Sequence, residues 1–448
     1  MDVSLVKKKD CSHLCIILSL LGAMNYLFTY IYIPGVTIIA LVYLLTFYYI
    51  IVVTKQFEFY LFGLLIYKPF ASLIFPFPHG FTIALLFLIY IPLVWFTLLF
   101  RKQFNIWNCK FVVIFLCFSL VYGGIKGTLS WYIMANRYIP LFLFVYSTII
   151  YSRRLRFDIL LNLLRPIFIV SLFVWILPNY IEQTEWLLCD YGIFGEPLEG
   201  KLDITMFFVP RNLGFYYDCR IFGVFVVLYF CIALLRKEKY RKFDLYISSL
   251  LVFSTTSRGA IVLWGMVLVG YVLQSFRFSF KKIVILFVSI AISFLLILIL
   301  SQSSTEFSDF LSTFKLIGDN SALGQREIFL AYALYCFFSN PLLGIGAGAL
   351  KGYELFSWGG GYNKETYITD SFLASTLGEI GMVGFVLFLL YIFEIYYNKT
   401  LFSAFLILGM LLQLLGTDVP DSGVQYFVII FVFKELMHSS DLNKNINK

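Results

Sequence analysis

The chain has 448 residues, of which 60% are hydrophobic, 20% aromatic and only 13% charged. A soluble protein carries about 25% charged residues, so this composition excludes a globular domain with a simple anchor and implies a polytopic α-helical membrane protein. The formal net charge of +8 is not a nucleic-acid signal, because the basic residues collect in short loops at alternate ends of apolar runs, where they set topology.

The N-terminus carries Lys7, Lys8 and Lys9 with no cleavage site after its apolar run. That predicts a cytoplasmic start and an uncleaved first span. Spans are predicted at 13–31, 34–53, 58–77, 81–100, 111–128, 134–151 and 158–177. Cytoplasmic turns between them are marked by Lys55, by Arg101 and Lys102, and by Arg153, Arg154 and Arg156. A first long exported loop covers 179–218; the chain then re-enters at 219–235, makes a short hairpin of 244–256 and 258–276, and leaves through 283–301. A second large exported loop covers 302–370, and spans at 371–393, 400–417 and 423–436 close the chain with its basic tail inside. The expected fold is all-α: one integral membrane unit of residues 1–448, about 14 transmembrane helices, two large exported loops and both termini cytoplasmic.

Between the basic clusters around Lys242 and Arg277 the hairpin holds one charge besides Asp244, namely Arg258. The segment from Phe243 to Phe276 is 34 residues, whereas two full spans need about 40. The turn is therefore expected slightly below the outer surface, with Arg258 at the bottom of an outward-facing hollow. An intramembrane cation is a functional-site candidate by default. Ser257 suits the N-cap of the returning helix, and arginine, helix N-terminus and low dielectric together favour a phosphate or diphosphate. The competing reading is a buried pair with a carboxylate.

Other candidates lie in or beside the exported loops. Arg211 and Arg220 stand before a span and either face the same hollow or sit at headgroup level. Gly324 to Phe338 has helical apolar spacing and stops at Asn340-Pro341, which predicts an interfacial helix. Arg326 in its first turn opposes the helix dipole, so helix stability does not explain it; an anion contact or a local contact to Glu327 does. Gly344 to Gly348 lacks the preceding strand of a nucleotide fingerprint and reads as a flexible turn. Asp370, immediately before a span, is either a general base or that helix's N-cap. Lys68, Lys126, Arg137 and Arg165 fall within or near spans without an assigned role. The three histidines are scattered and no metal-ligand spacing occurs.

These pieces resemble the O-antigen polymerase and O-antigen ligase superfamily of bacterial envelope glycosyltransferases. The resemblance runs over about 211–390. It is carried by Arg211-Asn212-Leu213-Gly214, by Thr256-Ser257-Arg258-Gly259-Ala260, and by Gln325-Arg326-Glu327 with the later Asn340-Pro341-Leu342-Leu343-Gly344. Asp370-Ser371-Phe372-Leu373 leading to Leu377-Gly378-Glu379-Ile380-Gly381 completes it. It implies exported-side glycosyl transfer from undecaprenyl-diphosphate-linked oligosaccharides at the bacterial cytoplasmic membrane, with no nucleotide sugar, cofactor or metal. Ligases of the superfamily carry a histidine near the start of the span after the second loop. Tyr367-Ile368-Thr369-Asp370-Ser371 has none, which points to the polymerase branch, with ligase and lipid-linked oligosaccharide flippase as the rivals. In that reading Arg258, Arg326 and Arg211 or Arg220 bind the donor diphosphate, and Asp370 serves the acceptor. Membrane lipids, a chain-length regulator and a flippase are the expected partners, and nucleic acid is not.

Overall fold

The computed structural model describes residues 17, 20–21, 36–54, 110–129, 157–180, 205–206, 209–210, 212, 214, 219–236, 239–275, 322–350, 371–396 and 400–416. The helices are α1 (Val36–Thr54), α2 (Lys110–Lys126), α3 (Phe157–Tyr180), α4 (Cys219–Leu235) and α5 (Arg241–Ser254). They continue with α6 (Arg258–Ser275), α7 (Ala322–Ser339), α8 (Phe372–Tyr396) and α9 (Leu401–Gly416). The strands among the described residues are β1 (Thr205–Met206) and β2 (Val209–Pro210), an antiparallel ladder pairing Thr205 with Pro210 and Met206 with Val209. It falls within the first predicted exported loop.

Eight predicted spans coincide with α1 to α6, α8 and α9, and α7 is the predicted interfacial helix. The spans at 58–77, 81–100, 134–151, 283–301 and 423–436, and all but three residues of 13–31, lie outside the described residues. Phe157–Ile176 in α3 and Phe372–Glu394 in α8 are long and apolar enough to cross a bilayer. Numerous large apolar side chains stand exposed on the helices, Leu45, Ile125, Phe173 and Phe393 among them, as lipid-facing positions require.

The core is centred on α4. Its residues from Ile221 to Leu234 are all buried, as expected of a helix that is apolar all round, and α3, α5 and α6 pack around it. On the other flank α8 contacts α2, α7 and α9. The two halves meet where α6 lies against α9, a seam of small residues. Gly270 meets Phe402 and Phe405, Gly409 meets Leu263 and Met266, and Gly259 meets Gln413. Close backbone approach of this kind is how helices associate in lipid without a hydrophobic drive.

Both ends of α2 are satisfied within the fold. The Glu394 carboxylate accepts from the N–H groups of Phe111 and Val112 at 2.8 and 3.4 Å, capping the start of α2. Gly127, at φ 68, ends α2; the Thr128 N–H reaches the Gly123 carbonyl and the Gly127 N–H the Gly124 carbonyl, a Schellman motif.

The Gly344–Gly348 run is not the flexible turn expected from sequence, but a backbone splint for a broken helix. Gly381 (φ 62, ψ −164) interrupts α8. The groups freed there pair with the segment after α7: Ile345 and Gly346 N–H donate to the Gly378 and Glu379 carbonyls, and Met382 and Val383 N–H donate to those of Pro341 and Leu342. A Cβ on Gly344 would lie 2.4 Å from the Glu379 backbone, and one on Gly381 would lie 2.5 Å from the Leu342 carbonyl, so the contact requires glycine on both sides. Irregular backbone at membrane depth is tolerated when it is paired within the protein in this manner.

Candidate functional site

The hairpin turn between α5 and α6 is built from hydroxyl residues. Ser254 and Thr255 fold their hydroxyls back onto the Leu251 and Val252 carbonyls at 2.8 and 2.6 Å. The Thr255 and Thr256 N–H groups reach the carbonyls of Leu251 and Phe253, and the Ser257 carbonyl accepts from the Ile261 N–H. Ser257 thus occupies the expected N-cap position, its own N–H held by Thr255 Oγ1 at 3.3 Å. Residues 254 to 257 are buried, whereas Arg258, the first residue of α6, is exposed. An α-helix rises about 1.5 Å per residue, so the 14 residues of α5 rise about 21 Å against a hydrocarbon core of about 30 Å.

Two further segments close on this turn. Asn212 is buried; its N–H donates to the Ser254 carbonyl at 3.0 Å and its Nδ2 to Ser254 Oγ at 3.1 Å. Its Oδ1 accepts from the Gly214 N–H at 3.0 Å. The end of the first predicted exported loop is therefore fastened to the arginine-bearing turn. From the other side, α4 approaches through Gly223, where a Cβ would meet the Ala260 Cβ at 2.4 Å and Thr255 Oγ1 at 3.4 Å. Arg220 lies one helical turn before Gly223, hence on the same face of α4, and is half-buried.

The other predicted residues fare differently. Arg211 and Asp370 lie outside the described residues, as do Lys68 and Arg137. Arg326 sits in the N-terminal part of α7, with its side chain outside the description. Lys126 ends α2 with its ammonium 5.8 Å from the Tyr122 ring centroid. Beside Asp370, Ser371 is the N-cap of α8, its hydroxyl accepting from the Ala374 N–H at 3.3 Å and its carbonyl from the Ser375 N–H.

Sequence reasoning left Arg165 unassigned, and the structure gives it a partner. Asp244 is fully buried and takes a two-pronged contact from Arg165, Nε to Oδ1 and Nη2 to Oδ2, each at 2.7 Å. The Tyr229 hydroxyl donates to Asp244 Oδ1 at 2.6 Å. Arg165 also donates to Asn162 Oδ1 at 2.8 Å and lies 4.9 Å from the Tyr240 ring centroid. The cluster joins α3, α4 and α5 at the opposite end of α5 from Arg258. A signal was available, since Arg165 is an isolated charge in an apolar run, but its pairing with Asp244 across 79 positions has no local signature.

A second buried carboxylate, Glu379, lies beside the break in α8 and accepts from the Leu350 N–H at 3.2 Å. Just behind it Ala333 and Cys336 anchor α7 against the first half of α8. Burial pushes the Cys336 thiol up, partly opposed by a hydrogen bond with Tyr332.

Residues 245–389 match a family model described as O-antigen ligase. The match covers about a third of the chain and includes Arg258, Arg326 and Asp370, while Arg211 and Arg220 precede it. This agrees with the O-antigen polymerase and ligase superfamily, whose members are glycosyltransferase-like membrane proteins of bacterial polysaccharide assembly acting on lipid-linked oligosaccharides. No curated protein matches the chain.

Proposed function

We propose that this protein polymerises undecaprenyl-diphosphate-linked oligosaccharide repeat units on the exported face of the bacterial cytoplasmic membrane, building an O-antigen, capsule or exopolysaccharide. The observation that carries the reading is Arg258. It is the first residue of α6, inside the matched region, on a buried turn to which the exported Asn212 segment is fastened.

Arginine at a helix N-terminus combines a two-pronged donor with free N–H groups and the positive end of the dipole. Arg258 and Arg326, with Arg220 or Arg211, bind the diphosphate of the growing donor chain. They stabilise its charge as the bond from the anomeric carbon to the diphosphate oxygen breaks. The new bond forms from the non-reducing-end hydroxyl of a second lipid-linked repeat unit, whose proton passes to Asp370, with inversion at the anomeric carbon. Diphosphate is already a good leaving group, so strong acid catalysis is unnecessary. A flippase would supply the repeat units and a chain-length regulator would set when the chain leaves.

The ligase reading is favoured by the description of the matching family and opposed by the absence of histidine from Tyr367 to Ser371. Deleting the gene in its host and analysing surface glycan together with lipid-linked intermediates separates the readings. Loss of long polymer, with single repeat units still exported or accumulating on the carrier, supports the polymerase. Intact polymer left on the carrier identifies a ligase, and repeat units trapped on the cytoplasmic leaflet identify a flippase.

A further inference from the structure

Within Ser254-Thr255-Thr256 two of the three hydroxyls are used. Ser254 Oγ donates to Leu251 and accepts from Asn212; Thr255 Oγ1 donates to Val252 and accepts from the Ser257 N–H. Thr256 differs. It is 8% exposed, and its Oγ1 has no hydrogen-bond partner among the described residues. Its backbone lies at φ 49, the left-handed region, where a β-branched residue is an outlier.

Both features count against threonine as a structural choice. Glycine would take the left-handed conformation without strain, and valine would fill the same space without stranding a buried hydroxyl. Strain and unsatisfied polar groups of this kind gather where a ligand is to be held. The surroundings name the ligand. Thr256 stands two residues before an 18-residue helix, whose first-turn N–H groups have no intrahelical partners and whose first side chain is the exposed Arg258.

We propose that Thr256 is a diphosphate-binding residue: its hydroxyl donates to a phosphoryl oxygen held between the head of α6 and the Arg258 guanidinium. The assignment rests on the anion-binding reading of Arg258, and adds to it a neutral donor within the turn. The turn is thus kept strained and unsatisfied in the free protein, and binding supplies the missing partner.

The test uses the full-length protein in phosphatidylcholine nanodiscs, with inorganic diphosphate as the probe and thermal unfolding as the readout. Thr256→Val is expected to melt at or above the wild-type temperature without diphosphate, yet to bind it about tenfold more weakly, the loss of one hydrogen bond to a charged group. Thr256→Ser should retain binding within about threefold, because it keeps the donor. Thr256→Gly, which also relieves the strain, should weaken binding as valine does and covers the case of a valine variant that does not fold.

Wild-type affinity in both Thr256→Val and Thr256→Gly overturns the proposal. If Arg258→Ala loses the diphosphate effect while those two keep it, the Thr256 assignment falls and the Arg258 reading stands. If wild type shows no diphosphate effect, both fall. Stabilisation that depends on Thr256 only in phosphatidylglycerol nanodiscs, and not on added diphosphate, assigns the turn to a lipid headgroup and also overturns the proposal.

Discussion

Asp244→Ala is the most quantitative perturbation the structure offers. It removes three hydrogen bonds to a carboxylate, two from Arg165 at 2.7 Å and one from Tyr229 at 2.6 Å. It also strands a guanidinium whose side chain is only 14% exposed. Summing such bonds at roughly 1.5–3 kcal/mol each overshoots, because the groups were desolvated to make them. Truncating one partner of a buried pair costs about 3–5 kcal/mol, and the Asn162 and Tyr240 contacts that Arg165 keeps place this case near the lower end. Removing both charges is a different matter: Arg165→Met with Asp244→Leu should return to within about 1 kcal/mol of wild type, since well-packed apolar pairs replace buried ion pairs at little cost. The assay is reversible denaturation of the purified protein in mixed micelles, comparing both single variants and the double. A single-variant loss below about 1 kcal/mol, the size of an exposed pair, would refute the reasoning. So would losses that simply add in the double variant.

Arg258→Ala should slow polymer formation by about 10²–10³-fold, the usual effect of removing one donor to developing charge, at unchanged membrane abundance; normal polymer length in cells would sink the diphosphate role. Gly381→Ala should destabilise the fold by about 1–3 kcal/mol, because φ 62 and the Leu342 carbonyl 2.5 Å away both oppose a Cβ; an unchanged melting temperature contradicts this. The raised Cys336 thiol keeps its thiolate scarce at neutral pH, so alkylation followed by mass spectrometry should still be accelerating as pH rises past the ordinary thiol range. A plateau below that range would show that burial does not control it.

Most of the helices were legible because bilayer-length apolar runs and basic loops are one-dimensional signals. Contacts at several helix ends join ends that the predicted topology places on the same side. Glu394 caps Phe111, Gln274 Oε1 accepts from the Phe402 N–H, and Arg165 meets Asp244, all at predicted inner ends. Asn212 meets Ser254, and Thr128 Oγ1 meets the Ala347 carbonyl, at predicted outer ends. The turn that carries Arg258 was readable, since a lone cation in an apolar hairpin stands out. Asn212, Thr256 and the Arg165–Asp244 pair were not. Their roles depend on partners brought together by tertiary packing or on a backbone dihedral, and neither leaves a periodic trace. The Gly344–Gly348 run was misread for the same reason: glycines that permit a turn and glycines that permit close docking look alike in sequence.

The break in α8 also bears on how the chain is assembled. The groups that satisfy Gly378, Glu379, Met382 and Val383 all come from Pro341 to Gly346, which is synthesised before α8 and falls within the second predicted exported loop. A nascent span whose backbone is open in the middle is costly in hydrocarbon. Residues 372–396 are therefore expected to insert as an uninterrupted helix and to bend at Gly381 only when the waiting loop docks. The break then records the moment when exported and embedded parts become one body, and any lesion in the loop would be felt first as a helix that stays straight.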